Sequence, residues 1–192
     1  MVNPIRKQVR YHHRYASDKL KSDPGNTRFV TTPPLHTQIA PKKLSGLKEI
    51  YLESMDFSAD KVYEGYCLTG TIIEPIYKMN GIHSIIEDEK GKVVKITLYN
   101  MGNLESQVIV GQVIVIMNPY MRQAASRETL IRIDDPKSVI FSDLKEICWS
   151  CTQSKEEVAK LSNCAKCKAK YCSRECQIFD WNNGHKLICG LK

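Results

Sequence analysis

Residues 148–189 read CWSCTQSKEEVAKLSNCAKCKAKYCSRECQIFDWNNGHKLIC, and this stretch decides the fold of the C-terminal part of the chain. It holds seven of the chain's eight cysteines and one histidine. These residues form four pairs: Cys148 with Cys151, Cys164 with Cys167, Cys172 with Cys176, and His185 with Cys189. Because two or three residues separate the members of each pair, both side chains can reach one metal ion. Eight ligands fill two tetrahedra, which predicts two zinc ions.

The number of ligands also predicts what the metal does. A structural zinc has four protein ligands, whereas a catalytic zinc keeps one position open for water or substrate. Soft thiolate and imidazole ligands favour zinc over magnesium or calcium, and an iron–sulfur cluster would leave the pair of His185 and Cys189 unexplained. A disulfide framework is disfavoured because the N-terminus does not resemble a secretory signal. We therefore expect two structural zinc ions.

The ligands and the residues between them resemble the MYND zinc finger over almost the whole stretch. Besides the ligands, the similarity includes Tyr171, Gln177 and Trp181. The resemblance implies interleaved ligand sets: Cys148, Cys151, Cys172 and Cys176 for one ion, and Cys164, Cys167, His185 and Cys189 for the other. The spacing alone leaves open a sequential alternative, in which the first four ligands bind one ion and the last four bind the other.

The resemblance further implies a role in protein interaction. MYND fingers bind short peptides that contain proline and leucine, and the residues implied here for the peptide groove are Ser173, Arg174, Gln177 and Trp181. A tryptophan ring offers a platform for rigid proline rings, and a glutamine amide can bond a peptide carbonyl. The alternative role for Trp181 is packing beside the zinc. We also expect two short helices in this region, separated near Gly184.

The whole chain of 192 residues is long enough for one ordinary domain and a small domain held by metal. We expect a basic, proline-containing and largely irregular tail and linker over residues 1–43, a β domain over 44–142 and the zinc finger over 143–192. Their formal charges are +7, −3 and +3. Since the thiolate ligands outweigh the charge of two zinc ions, the basic character of the loaded protein lies in the N-terminal part. No apolar run approaches the ~18 residues of a membrane span, so we expect no membrane segment.

In the N-terminal part, four basic residues alternate with tyrosine and histidine rings: Arg6, Lys7, Arg10 and Arg14. One interpretation is an arm that contacts nucleic acid or an acidic surface. A second is a transit peptide for import into mitochondria or another organelle. A third is a disordered, solvated tail.

Residues 31–43 contain three prolines, which is typical of an extended linker. Within them, Pro33-Pro34-Leu35 is a peptide of the kind that MYND fingers bind. A contact between Pro33, Pro34 and Leu35 and the finger, in the same molecule or in a second copy, is therefore an alternative to a plain linker.

Five runs of β-branched and aromatic residues predict the strands of the middle domain: 62–73, 82–88, 93–100, 107–117 and 129–133. Residues 89–92, of sequence EKGK, predict a hairpin turn between the second and third strands. A long first strand, a hairpin and two returning strands are typical of a small OB-like barrel. The predicted fold class is thus α+β, with an OB-like barrel followed by a two-zinc finger with short helices.

The middle domain also resembles the N-terminal β domain of proteins that combine TPR, SET and MYND parts. Short motifs carry this resemblance, among them Leu98-Tyr99-Asn100 and Asn118-Pro119-Tyr120. No SET signature and no helical repeat array are found in the sequence, so the resemblance implies architecture and no methyltransferase activity. The negative charge of the domain argues against nucleic-acid binding by it.

These observations together predict a non-enzymatic adaptor whose finger binds proline-rich protein partners within a larger assembly. No nucleophile and base pair can be proposed, and the histidine in the finger is a ligand. Two alternatives are an accessory part of a SET-type lysine methyltransferase system and a nucleic-acid binder that uses the N-terminal arm. Cysteines outside a disulfide context indicate a reducing compartment, the nucleus or the cytoplasm.

Overall fold

The computed structural model describes residues 4–25, 33–41, 43–124 and 128–190. The chain divides into two units, one made of Met1–Arg28 together with Leu144–Lys192, and the other made of Phe29–Asp143. The N-terminal residues therefore belong to the same unit as the zinc finger, although the β domain separates them in sequence.

A helix, α1, occupies Pro4–Ser22, where an irregular tail was expected. Pro4 suits the first turn, because its fixed φ is helical and its missing N–H would have no partner there. The buried residues of α1 recur at helical spacing and are all polar or charged: Arg6, Arg10, His13, Arg14 and Ser17. The expectation of an irregular tail was wrong because the helical period is carried by arginine and histidine, whereas sequence reading follows apolar residues. Residues 1–3, 26–32 and 42 of the predicted tail and linker lie outside the described residues.

The second unit is built on one sheet, in which ten strands are found among the described residues. They are β1 Lys48–Glu49, β2 Lys61–Val62, β3 Tyr66–Ile72, β4 Tyr77–Lys78, β5 Ile82–Glu87, β6 Val93–Leu98, β7 Gln112–Met117, β8 Tyr120–Gln123, β9 Thr129–Ile133 and β10 Val139–Leu144. The last of these strands ends at the boundary with the finger unit.

The pairing of the strands produces a closed, OB-like barrel. Strand β3 is antiparallel to both β5 and β7, β5 is antiparallel to β6, and β6 runs parallel to β9. Strand β8 pairs with β9 and follows β7 after only Asn118 and Pro119. The continuous run of residues 112–123 therefore closes the sheet, because its first part, β7, pairs with β3 and its second part, β8, pairs with β9. If residues 112–123 are taken as one strand, the barrel has five strands: 112–123, β3, β5, β6 and β9, in that order. Among these five, only β6 and β9 are parallel neighbours, and this is the order of an OB-like Greek-key barrel.

The predicted strands agree with the observed ones over most of their lengths. The predicted hairpin turn also lies between β5 and β6, where Gly91 has a φ of +71°, in the left-handed region that favours glycine. The fourth predicted strand begins too early, because a 3-10 helix occupies Gly102–Gln107 and the strand starts after Gly111, whose φ is +93°. The short strands β1, β2, β4 and β8 were not predicted as separate strands.

Alternating residues of the strands fill the barrel. Val94, Ile96 and Leu98 of β6 point inward, and Ile131 and Ile133 of β9 lie beside them, all at most 2% exposed. Burying each such side chain contributes about 1.5–3 kcal/mol relative to leaving it in water. The barrel therefore has an apolar core of its own.

The proline-containing segment 33–41 lies along the barrel and is held by its main chain. The hydroxyl of Tyr120 accepts hydrogen bonds from the amides of Leu35 and His36, and Arg122 donates to the carbonyl of Pro33 at 2.9 Å. The Leu35 side chain is 71% exposed. The segment is thus fixed on the β domain with its apolar side chains outward, and its predicted contact with a finger stays a prediction.

The finger contains two short strands and a broken helix. Strand β11, Ser162–Asn163, is antiparallel to β12, Lys170–Tyr171. Helix α2, Arg174–Asp180, continues through a π-helical stretch, Trp181–His185, into α3, Lys186–Ile188. The predicted break is confirmed, since Gly184 has a φ of +104° and interrupts the helical conformation. Within the described part of the chain, no helix is both long and apolar enough to cross a membrane.

Candidate metal centre

The first group of ligands joins the start of the finger to helix α2. The sulfurs of Cys148, Cys151, Cys172 and Cys176 all lie within 4.8 Å of one another. The Sγ atom of Cys172 is 3.6 Å from that of Cys151 and 3.5 Å from that of Cys176. The amide of Thr152, whose φ is +64°, donates to the Cys148 carbonyl and closes the turn that carries the first two ligands. The amide of Trp149 donates to the carbonyl of Lys170, which holds this turn beside the strand that leads to Cys172.

The second group of ligands joins the middle of the finger to its C-terminal helix. Its members Cys164, Cys167, His185 and Cys189 also lie within 4.8 Å of one another. The Sγ atoms of Cys164 and Cys189 are 3.8 Å apart, and Nε2 of His185 is 3.6 Å from Sγ of Cys167. His185 thus faces the centre of the group through Nε2.

Both groups fit a tetrahedral zinc ion. Zinc–sulfur and zinc–nitrogen bonds of ~2.3 and ~2.0 Å place two tetrahedral sulfurs ~3.8 Å apart and a sulfur and a nitrogen ~3.5 Å apart. The distances between ligand atoms in the structure are close to these values. The two ligand sets are the interleaved ones, so the sequential alternative is excluded. Bound zinc supplies cross-links that hold the two ends of the finger together.

When no metal is present, most of the ligand thiols have a raised pKa, whereas backbone hydrogen bonds lower the pKa of Cys148 and of Cys164 in spite of burial. Burial, followed by the hydrogen bond with Cys176, raises the pKa of Cys172 to about 11. Burial, followed by the hydrogen bond with Cys164, raises the pKa of Cys189 to about 12. Because zinc binds the thiolate, loading each site releases protons, and zinc affinity falls as the pH is lowered.

A buried carboxylate, Asp180, lies behind the histidine ligand. Its Oδ2 atom accepts a hydrogen bond of 2.8 Å from the hydroxyl of Tyr171 and is 3.6 Å from Nδ1 of His185. Burial, followed by the negative charge of Asp180, raises the pKa of Tyr171, so this hydroxyl stays a donor. The rings of Tyr171 and Trp149 meet the His185 ring edge to face. Asp180 and the two aromatic rings therefore hold the imidazole in place while its Nε2 atom faces the ligand group.

Helix α1 covers this part of the finger with its arginine face. Arg14 is 1% exposed, and its Nη1 atom is 2.8 Å from Oδ1 of Asp180. Arg6 and Arg10 each donate a hydrogen bond of 2.9 Å to the carbonyl oxygen of Ser150, between the ligands Cys148 and Cys151. Arg10 also donates to the carbonyl of Trp149. Three of the four cations that the contact-arm interpretation relied on are thus buried against the finger.

The predicted peptide-binding residues share one side of helix α2. Ser173 caps the helix, because its hydroxyl accepts a hydrogen bond from the amide of Cys176, and Arg174 follows it in solvent. Gln177 is half-buried, and Trp181 is 42% exposed although its ring lies 6.0 Å from that of His185. Ile178 is 51% exposed. The structure brings these residues together along one strip, and their role in binding a peptide stays a prediction.

Sequence reasoning missed Asp180, and it named the three arginines without predicting that they contact the finger. In the sequence, Asp180 is one acidic residue among six in the finger. One sequence signal could have indicated its role: Asp180 lies five residues before the ligand His185, on the same helix face as Gln177 and Gly184. The arginines at positions 6, 10 and 14 are spaced by four, and that spacing was the signal for a helix with one charged face.

The sequence of the finger matches a known family. Residues 148–189 match the model of the MYND finger. Sequence comparison of the chain with curated proteins gave no significant match.

Solved structures similar to this chain align with about two fifths of it. The OB domain of a Methanosarcina mazei protein is 15% identical, with a TM-score of 0.34, and the alignment covers 42% of this chain and 75% of that one. Fission yeast Pot1, solved with ssDNA, is 10% identical, with a TM-score of 0.34 and coverage of 41% and 35%. The tetrameric p202 HIN2 structure is 13% identical, with a TM-score of 0.32 and coverage of 40% and 39%.

Similarity at this level carries no argument about function, and the OB-like description of the barrel rests on its strand order. For the finger, the matched residues, the ligand geometry and the two interleaved groups agree. Residues 148–189 are a MYND-type zinc finger, a zinc-binding module for protein interaction.

Proposed function

We propose that the protein is a non-enzymatic adaptor whose finger binds proline-rich peptides of partner proteins. The observation that carries the proposal is the exposed ring of Trp181, which lies on a metal-fixed helix beside Gln177 and Ile178. Trp181 packs against the His185 ring and still keeps 42% of its surface in solvent, which leaves part of the indole open to a peptide. A peptide that covers Trp181 and Ile178 would remove apolar surface from water.

The chemistry of the strip supports a proline-containing ligand. Proline rings are rigid and lose little entropy on docking, and they stack on an exposed indole. A proline-rich peptide in the polyproline II conformation has no internal hydrogen bonds, so its carbonyl oxygens can accept from the Gln177 amide. Since each metal has four protein ligands, the sites have no open coordination position and the proposal includes no catalysis. The thiolate ligands also favour a reducing compartment for this adaptor.

Replacing Trp181 tests the proposal. Trp181→Ala should weaken binding of a proline- and leucine-containing peptide at least tenfold, measured by calorimetry on the full chain, because it removes the platform for the proline ring. Zinc content, measured by mass spectrometry of the metal, should stay at two ions per chain.

Phe57→Ala is the matched control, because Phe57 is an aromatic residue of similar exposure, 37%, in the β domain. It should bind the peptide as the unchanged protein does. Undiminished binding by Trp181→Ala with both zinc ions in place would contradict the proposal.

A further inference from the structure

Helix α1 contacts the metal centre through a line of buried charged groups. Arg14, on the buried face of α1, and Asp180, on helix α2, are 1% and 2% exposed. Their closest atoms, Nη1 and Oδ1, are 2.8 Å apart. Arg10 contributes a second, longer contact of 3.8 Å to the same oxygen. A carboxylate this deeply buried needs such a partner, because an unpaired buried charge is strongly destabilising.

The other oxygen of Asp180 faces the histidine ligand. Oδ2 lies 3.6 Å from Nδ1 of His185, while Nε2 of the same ring faces the sulfurs of the second ligand group. At 3.6 Å this is an electrostatic contact, longer than a hydrogen bond, and a carboxylate on this side of the ring favours the tautomer with the proton on Nδ1, which leaves Nε2 for the metal. The order Arg14, Asp180, His185 thus leads from the N-terminal helix to the ligand of the second metal site.

The first metal site is contacted by the same helix. Cys148 and Cys151 lie on a turn whose carbonyl oxygens, those of Trp149 and Ser150, accept hydrogen bonds from Arg10. Arg6 donates a hydrogen bond to the Ser150 oxygen as well. Four thiolates around one zinc dication leave two negative charges, and three leave one. Buried guanidinium groups beside these sites offset that excess charge.

We propose that helix α1 stabilises the zinc centre through residues that contact the zinc ligands without binding the metal. In this proposal, Arg14 is a positioning residue that acts through Asp180 on His185. This inference depends on zinc binding and does not depend on peptide binding by the strip at Trp181. Residues 4–22 thereby have a defined role, which is to slow the loss of zinc from the second site, the one that contains the histidine.

The test compares zinc release from the full chain and its Arg14→Ala variant. Both proteins are loaded with two zinc ions and mixed with an excess of a chromogenic chelator. Outer partners of zinc ligands change metal affinity by about 10–100-fold. We expect one of the two release phases to be accelerated at least tenfold in Arg14→Ala and the other to change much less.

Cobalt substitution assigns the accelerated phase to a site. Cobalt bound by four thiolates and cobalt bound by three thiolates and an imidazole have different absorption bands, so the two sites are distinguishable in one spectrum. In Arg14→Ala, the bands of the histidine-containing site should shift and those of the all-cysteine site should not. A shift of neither set, or equal acceleration of both release phases, would overturn the proposal.

A double-mutant cycle separates positioning from simple packing of the helix. Asp180→Asn should accelerate the same phase, and Arg14→Ala should add little in the Asp180→Asn background, because both changes interrupt one line of contacts. If the two effects multiply instead, Arg14 does not act through Asp180 and the proposal fails.

Two further variants distinguish a positioning role of Arg14 from a general folding defect. Arg14→Lys keeps the charge but loses the planar fork, so it should load both metals and release the second at an intermediate rate. Unchanged release by Arg14→Lys together with failure of Arg14→Ala to load would assign Arg14 to folding and reject its positioning role. Lys7→Ala changes an exposed cation on the same helix and should leave both phases unchanged.

Discussion

At the scale of the residue, Asp180 connects parts of the finger that the ligands alone do not join. It contacts Tyr171 of strand β12, His185 of the helical region and Arg14 of α1. The eight ligands could be predicted from the sequence, because closely spaced pairs of cysteines are typical of metal sites. Asp180 could not, since the role of a single acidic residue depends on neighbours that are distant in sequence.

Gly184 is a second residue whose role depends on a distant partner. A side chain at this position would place its Cβ atom 3.2 Å from the Tyr11 ring and 3.4 Å from Cδ of Arg14. Its φ of +104° is also unfavourable for any residue with a Cβ. Gly184→Ala should therefore lower the free energy of unfolding of the finger unit by about 1–3 kcal/mol. Denaturant unfolding of the zinc-loaded chain measures this change.

Gly25→Ala is the matched control for that measurement, because a Cβ atom at this position would have no neighbour within 4 Å and the φ of Gly25 lies outside the left-handed region. It should leave the unfolding of the finger unit unchanged. Equal stability of Gly184→Ala and the unchanged protein would contradict the close approach of α1 to this turn.

At the scale of the element, helix α1 and the segment 33–41 show what sequence periodicity does not detect. The strands of the barrel were predictable because alternating apolar residues must face one core. Helix α1 buries arginines that bond to carbonyl oxygens, and segment 33–41 is held through its own main chain. Neither kind of contact leaves an apolar pattern in the sequence, so the sequence predicts only an irregular tail and linker at both places.

The hydroxyl of Tyr120 is the main anchor of segment 33–41. It accepts hydrogen bonds from the amides of Leu35 and His36 and donates to Asp60. Burial, followed by the hydrogen bond to Asp60, raises the pKa of Tyr120, so the hydroxyl stays protonated in neutral solution. Tyr120→Phe should weaken the anchoring by about 1 kcal/mol per lost hydrogen bond.

Hydrogen exchange of the amides at positions 35 and 36 measures this effect, and both should exchange faster in Tyr120→Phe. Tyr51→Phe is the control, because the Tyr51 hydroxyl donates its hydrogen bond to Glu49, which lies outside segment 33–41. It should leave the exchange of both amides unchanged. Protection that is unchanged in Tyr120→Phe would mean that other contacts hold the segment.

At the scale of the whole molecule, metal and apolar core stabilise different units. The barrel has a core of fully buried aliphatic residues, including Ile96, Ile114 and Ile131. The finger unit has a small buried cluster around Cys148, Ala169 and Tyr171, so its stability comes largely from zinc. Structural zinc contributes on the order of 10–16 kcal/mol in small fingers at neutral pH.

Removing zinc with a chelator should therefore unfold the finger and release α1, while the barrel stays folded. Two-dimensional NMR tests this, with the loss of dispersed signals from residues 4–22 and 148–189 and their retention for the barrel strands. Cys172→Ser should have the same effect without chelator, because it removes one ligand of the first site. Loss of the barrel signals as well would show that the barrel depends on the metal.

The union of α1 with the finger has a consequence for synthesis of the protein on the ribosome. Residues 4–22 leave the exit tunnel long before residues 149–180, which supply the carbonyl oxygens and the carboxylate that receive their arginines. The nascent α1 must remain unburied while the entire barrel is translated and can fold. Helix α1 thus reaches its packed position only after the barrel has been translated, when residues 148–189 capture metal and pack against it.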